Sequence, residues 1–165
     1  MKILIAYAGK TGGCASMAAL LAECLPRHEI TVADLAVTAP SPSDFDYVVL
    51  GGAIRMGKLY PAARQYLKQH EAALAACPHT LFLCCAFAEQ FENYLEMVFP
   101  ASVLESAEDA MYFGGELTPA KHRGLDRWLV KLIRNSILES EEDDAALPGL
   151  LPEHVRLLAE RLKQK

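Results

Sequence analysis

ILIAYAGKTGGCASMA, residues 3–18, reads as a buried strand, a glycine-rich turn and the opening of an amphipathic helix. The first amides of a helix lack intrahelical acceptors and sit at the positive end of its dipole, and glycine lets the backbone come close to a ligand. Gly9, Lys10, Thr11, Gly12, Gly13 and Cys14 are therefore candidates to hold a phosphate-sized anion. The same glycines would equally serve a bare strand-to-helix connection.

Three other phosphate-handling motifs fail on spacing. A Walker A loop ending in Gly9-Lys10-Thr11 requires glycine at position 4, where Leu4 stands. Gly9, Gly12 and Gly13 do not match the G-x-G-x-x-G dinucleotide fingerprint. A phosphatase loop built on Cys14 would place arginine at position 20, which is Leu20.

Working outward, Cys14, Met17, Ala18, Leu21, Cys24 and Leu25 recur at helical spacing and Pro26 closes the run. Short apolar strands follow at Ile30–Ala33, at Tyr47–Leu50 with a turn at Gly51-Gly52, at Thr80–Cys85 and at Ala110–Phe113. Helices are predicted around Ala63 to Leu74, across Phe91 to Leu104 despite Pro100, around Leu125 to Ile133, and from Pro152 onward. Five apolar strands alternating with helices predict an α/β fold, a doubly wound five-stranded parallel sheet with helices on both faces. In such a fold the ligand crevice lies at the C-terminal ends of the strands, where the strand order reverses. The loops after the first, third and fourth strands are expected to meet there. A receiver domain has this topology too, but its acidic pair and phosphorylated aspartate are replaced by Ala8-Gly9 and Gly51.

The chain has 165 residues, 52% of them apolar, and a formal net charge of −5. That size suits one domain, residues 1–165, and the negative balance disfavours nucleic acid, whose phosphates need a basic surface. No run approaches the length of a membrane span, and Met1-Lys2-Ile3 enters a strand without a leader pattern, so a cytoplasmic location is expected. Cys14, Cys24, Cys77, Cys84 and Cys85 show no metal-ligand or disulfide spacing, and metal ligands are not predicted.

Three segments carry a family likeness: the turn at residues 9–18, GGAIRMG at residues 51–57, and LDRWLVKLI at residues 125–133. Together they resemble flavodoxin-type domains, and among these the short menaquinone-dependent protoporphyrinogen oxidase type. The resemblance implies an FMN cofactor with its phosphate in the first loop. It also implies that Ala53, Ile54, Arg55, Met56 and Gly57 border the flavin ring. Ala86, Phe87 and Phe91 offer apolar and aromatic side chains at the far wall of such a slot.

The expected activity is flavin oxidoreduction or electron transfer with a redox partner protein or a quinone, with protoporphyrinogen oxidation as an extension. The alternative is a cofactor-free interaction domain on the same fold. Two departures from the family pattern bear on this choice. Ala8, Gly9 and Cys14 stand where relatives carry hydroxyls, and residues 86–109 contain six acidic residues and no lysine or arginine. Finally, Arg123, Arg127, Lys131 and Arg134 form a basic stripe on the predicted helix within residues 121–134, which reads first as a solvated helix face and otherwise suits peripheral contact with anionic lipid or an acidic redox partner.

Overall fold

A computed structural model describes residues 1–115 and 149–165. The predicted helix around Leu125 to Ile133, and with it the basic stripe, lies outside the described residues. The chain runs through β1 (Lys2–Ala8), α1 (Gly13–Glu23), β2 (Glu29–Asp34), β3 (Tyr47–Arg55), β4 (Lys58–Leu59), α2 (Pro61–Ala76) and β5 (His79–Cys84). It continues through α3 (Phe91–Val98), α4 (Ala101–Ser106), β6 (Asp109–Tyr112) and a helix at Pro152–Leu162, here called α5.

Five strands lie parallel in the order β2-β1-β3-β5-β6, and β4 adds a short antiparallel partner to the end of β3. The doubly wound five-stranded arrangement expected from the sequence is thus present, with β4 as a sixth strand. Strand alternation sorts the side chains into two layers. Ile3, Ile5, Tyr47, Val49, Phe82 and Met111 pack against Met17, Leu21, Val155 and Leu158 of α1 and α5. Leu4, Ala6, Val48, Leu50, Leu81 and Leu83 pack against Ala63, Tyr66, Leu67, Leu95 and Val103 of the helices on the other face.

Two details differ from the sequence reading. Gly51-Gly52 is not a turn; β3 runs on to Arg55, pairing Gly51 with Tyr7 and Phe82 and Gly52 with Ala8 and Leu83. The glycines serve close packing: a Cβ on Gly51 would lie 2.0 Å from Phe82 O, and one on Gly52 would lie 2.7 Å from Ala8 O. The helix predicted across Phe91 to Leu104 breaks into α3 and α4. Phe99, held extended at φ −103°, ψ 140° ahead of Pro100, cannot continue the α-helical backbone.

At the N-terminal edge of the sheet a polar network closes the bottom. Tyr47 Oη lies 2.8 Å from Thr80 Oγ1 and donates to Glu108 Oε2 at 2.9 Å, and Lys165 pairs with the same carboxylate. The opposite edge, where β1 leads into α1 on one face and β3 leads toward α2 on the other, carries the candidate site.

Candidate functional site

The first loop leaves β1 at Ala8 and enters α1 at Gly13, with Gly12 in the left-handed region at φ 91°, ψ −12°. Only glycine adopts that backbone without penalty, and a Cβ there would meet no atom within 4 Å, so the space over the turn is open. The helix ladder begins with Ser16 N donating to Gly12 O at 2.9 Å, and Ser16 Oγ donates to the same oxygen at 2.9 Å. The amides ahead of Ser16 are those a helix start leaves for another acceptor. The Ser16 hydroxyl is turned back on the helix, so Thr11 is the hydroxyl left for the turn itself. Lys10 is exposed at the rim.

The segment at residues 53–57 is not a loop but the tip of a hairpin. Ala53, Ile54 and Arg55 belong to β3, and Met56 and Gly57 turn the chain into β4 with φ of 50° and 73°. Two successive positive φ values mark a type I′ turn, whose twist matches that of a hairpin. Met56 bears a backbone conformation uncommon for a side-chain-carrying residue, with its side chain 76% exposed. Arg55 is exposed beside it.

The third loop, residues 85–90, ends in a 3-10 turn at Ala88–Gln90. Its shape is held by Cys85 Sγ donating to Phe87 O at 3.6 Å and Gln90 N donating to the same oxygen at 3.2 Å. Ala86 and Phe87 are half-buried, and Phe91 packs its ring 5.7 Å from that of Tyr112.

The three loops meet, as the topology requires. A Cβ on Gly9 would lie 3.8 Å from Ala53 Cβ, which joins the first loop to the hairpin, and α3 packs on β4, which joins the hairpin to the third loop. Behind them stand residues that sequence reasoning did not single out. Tyr112 Oη donates to Cys85 O at 2.9 Å, and His154 Nδ1 donates to Tyr112 O at 2.7 Å. Leu150 returns the chain against the start of α1, 3.3 Å from where a Cβ on Gly13 would sit. None of these contacts has a local sequence signal, because each joins elements far apart in the chain.

Two groups behind the third loop, Cys85 and Tyr112, are held protonated by their surroundings. Burial pushes the Cys85 thiol up to about 11, with Glu89 adding to the shift. Burial likewise pushes the Tyr112 phenol up to about 12, helped by Cys85 and Glu89. Both stay protonated at neutral pH and supply hydrogen-bond donors rather than charge. Among the described residues, no three of His, Cys, Asp and Glu gather to hold a metal, and no helix is long and apolar enough to cross a membrane.

Comparison with known proteins gives the family. A family model described as a flavodoxin domain matches residues 4–144, most of the chain. This chain belongs to the flavodoxin family. Within the curated proteins it is 27% identical over 143 residues to the protoporphyrinogen IX dehydrogenase [quinone] of Escherichia coli strain K12, covering 81% of this chain and 78% of that one. Among solved structures, a flavodoxin of Streptococcus pneumoniae TIGR4 superimposes with a TM-score of 0.54 at 16% identity, covering 99% of both chains. A short-chain flavodoxin associated with a bacterial microcompartment gives a TM-score of 0.60 at 14% identity, covering 99% of this chain and 97% of that one. These structural likenesses establish the flavodoxin fold.

Proposed function

We propose that this chain binds FMN at the C-terminal edge of its sheet and works as a flavin redox protein, passing electrons to a partner protein or a quinone. The observation that carries the reading is the left-handed Gly12, with open space above it, at the start of α1 beside the adjacent strands β1 and β3. A phosphate there would accept from the free amides of residues 9–14, with Lys10 supplying charge at the rim. The ring would lie by Ala53, Ile54, Arg55, Met56 and Gly57 on one side and by Ala86, Phe87 and Phe91 on the other. FMN, when bound, supplies the one- and two-electron chemistry, while the chain holds it and limits access to it. All five cysteines are unpaired, which supports a reducing, cytoplasmic setting.

The turn presents fewer hydroxyls than the family pattern, because Ala8, Gly9 and Cys14 replace them. Each missing neutral hydrogen bond is worth about 0.5–1.5 kcal/mol, so two or three weaken FMN binding by roughly fivefold to two-thousandfold. Titration with FMN and with riboflavin, followed by flavin fluorescence, tests the assignment. Tighter binding of FMN than of riboflavin supports phosphate capture by the turn. Absence of any titratable FMN binding at high micromolar ligand refutes the flavin reading and favours the cofactor-free domain.

The Escherichia coli relative's name suggests a porphyrinogen as the electron donor to test. Of the acidic residues in the segment 86–109, Glu89 and Glu92 lie on the third loop and the first turn of α3, a local charge that repels propionates, whereas Glu108 and Asp109 lie at the opposite edge of the sheet and pair with Lys165 and Arg161. The reading therefore places electron transfer ahead of porphyrinogen oxidation. Turnover of protoporphyrinogen with a quinone well above that of free FMN would reverse that order.

A further inference from the structure

The first peptide of the third loop, joining Cys85 to Ala86, is held from two sides by residues that the flavin reading leaves without a role. Tyr112, the last residue of β6, donates its hydroxyl to Cys85 O at 2.9 Å. Two residues earlier, Leu83 O also faces β6, accepting from Phe113 N at 3.0 Å, so Cys85 O keeps the direction that the alternation of a strand gives it. Behind the peptide stands Gly115, where a Cβ would lie 2.4 Å from Cys85 C and O and 2.8 Å from Ala86 N. Glycine lets the two backbones touch, and a side chain there would push the peptide away. Tyr112 is itself fixed: its ring packs 5.7 Å from that of Phe91, and its carbonyl accepts from His154 Nδ1 at 2.7 Å.

A trans peptide points its N–H opposite to its C=O. With Cys85 O turned to β6, the Ala86 N–H points away from β6, toward the side of β5 on which β3 lies. The pairing of β3 with β5 ends at Ala53 and Cys84, and among the described residues the Ala86 N–H meets no backbone acceptor. It faces the gap between the hairpin and the third loop, where the proposed ring site lies.

We infer, resting on the flavin reading, that Tyr112 is a positioning residue whose hydroxyl holds the Cys85–Ala86 peptide so that the Ala86 N–H is presented to a hydrogen-bond-accepting edge of the bound ring. The phenol keeps its proton at neutral pH, as shown above, and so remains a donor. Hydrogen bonds to charged acceptors are stronger than those to neutral ones. An N–H fixed at that edge therefore favours the reduced flavin over the oxidised one.

Tyr112→Phe keeps the ring against Phe91 and removes only the hydroxyl. The test titrates the full-length chain and this variant with FMN and with riboflavin by flavin fluorescence, and measures the reduction potential of the bound FMN in each. The variant should bind both flavins more weakly and alike, by roughly two- to twelvefold, because the ring and not the phosphate loses its donor. The potential should move to lower values. Unchanged affinities and potential overturn the inference and leave the flavin reading standing, as does a fall confined to FMN. Weaker binding of both flavins at an unchanged potential marks a structural role and overturns it as well. Failure of the unsubstituted chain to bind either flavin refutes the flavin reading, and this inference with it. Hydrogen exchange decides the matter even where Tyr112→Phe fails to fold: in the unsubstituted chain the Ala86 amide should gain protection when riboflavin binds, and an amide that exchanges equally fast with and without the flavin overturns the inference.

Discussion

Gly12→Ala separates the two things a glycine does at the head of α1. The residue sits at φ 91°, and a Cβ there would touch nothing within 4 Å, so the cost to the protein alone is conformational rather than steric. A left-handed backbone costs an L-residue about 1–2 kcal/mol. With a urea slope of about 2 kcal/mol/M, the unfolding midpoint should fall by about 0.5–1 M. The new methyl would occupy the open space through which a phosphate approaches. Loss of one amide bond to a charged phosphate is worth about 1.5–3 kcal/mol, so FMN affinity should fall by roughly tenfold to 150-fold. Riboflavin lacks the phosphate, and its affinity should hold. Parallel fluorescence titrations of the two flavins at the same pH and salt make the comparison. An equal fall for both flavins, or an unchanged FMN affinity, would refute the placement of the phosphate at this turn.

Other perturbations probe the frame around the site. Gly51→Ala would place a Cβ 2.0 Å from Phe82 O and 2.6 Å from the Phe82 ring, so chemical denaturation should show a loss of about 3 kcal/mol or more; a loss below about 1 kcal/mol would contradict the packing of β3 on β5. Met56→Asn creates an Asn-Gly pair at the I′ hairpin tip and should stabilise the protein by about 0.5–1 kcal/mol in thermal unfolding; a decrease would show that the methionine side chain matters more than its backbone. Hydrogen bonding from Lys165, opposed by burial and aided by Tyr47, holds the Glu108 carboxyl below its ordinary 4.5. The stability it contributes is therefore present above that value and lost as pH falls through the lowered one. Glu108→Gln should flatten stability against pH in that acidic window, as read from urea midpoints; an unchanged slope would remove Glu108 from the acid response.

Local pattern in the chain determined most of the frame. Apolar runs such as residues 3–6 and 47–50, separated by helical periodicities, specify parallel strands with helices on both faces, because each parallel crossover needs a covering element. Alternation within a strand likewise determined that Cys84 and Cys85 take opposite sides, and the glycines ahead of Cys14 marked the turn that opens α1. What the sequence could not decide was which distant group meets each of these residues. Gly51-Gly52 looked like a turn because glycine signals both a bend and a close approach, and only the pairing of β3 with β1 and β5 shows that close approach applies. The hairpin at Met56-Gly57 was hidden for a related reason: methionine carries no signal for positive φ, and the pairing of Arg55 with Lys58 imposes it. The meeting of Tyr112 with Cys85 and His154 depends on sheet register and helix placement. Those are nonlocal quantities: periodicity tells a residue which way to face, and only the assembled sheet supplies what it faces.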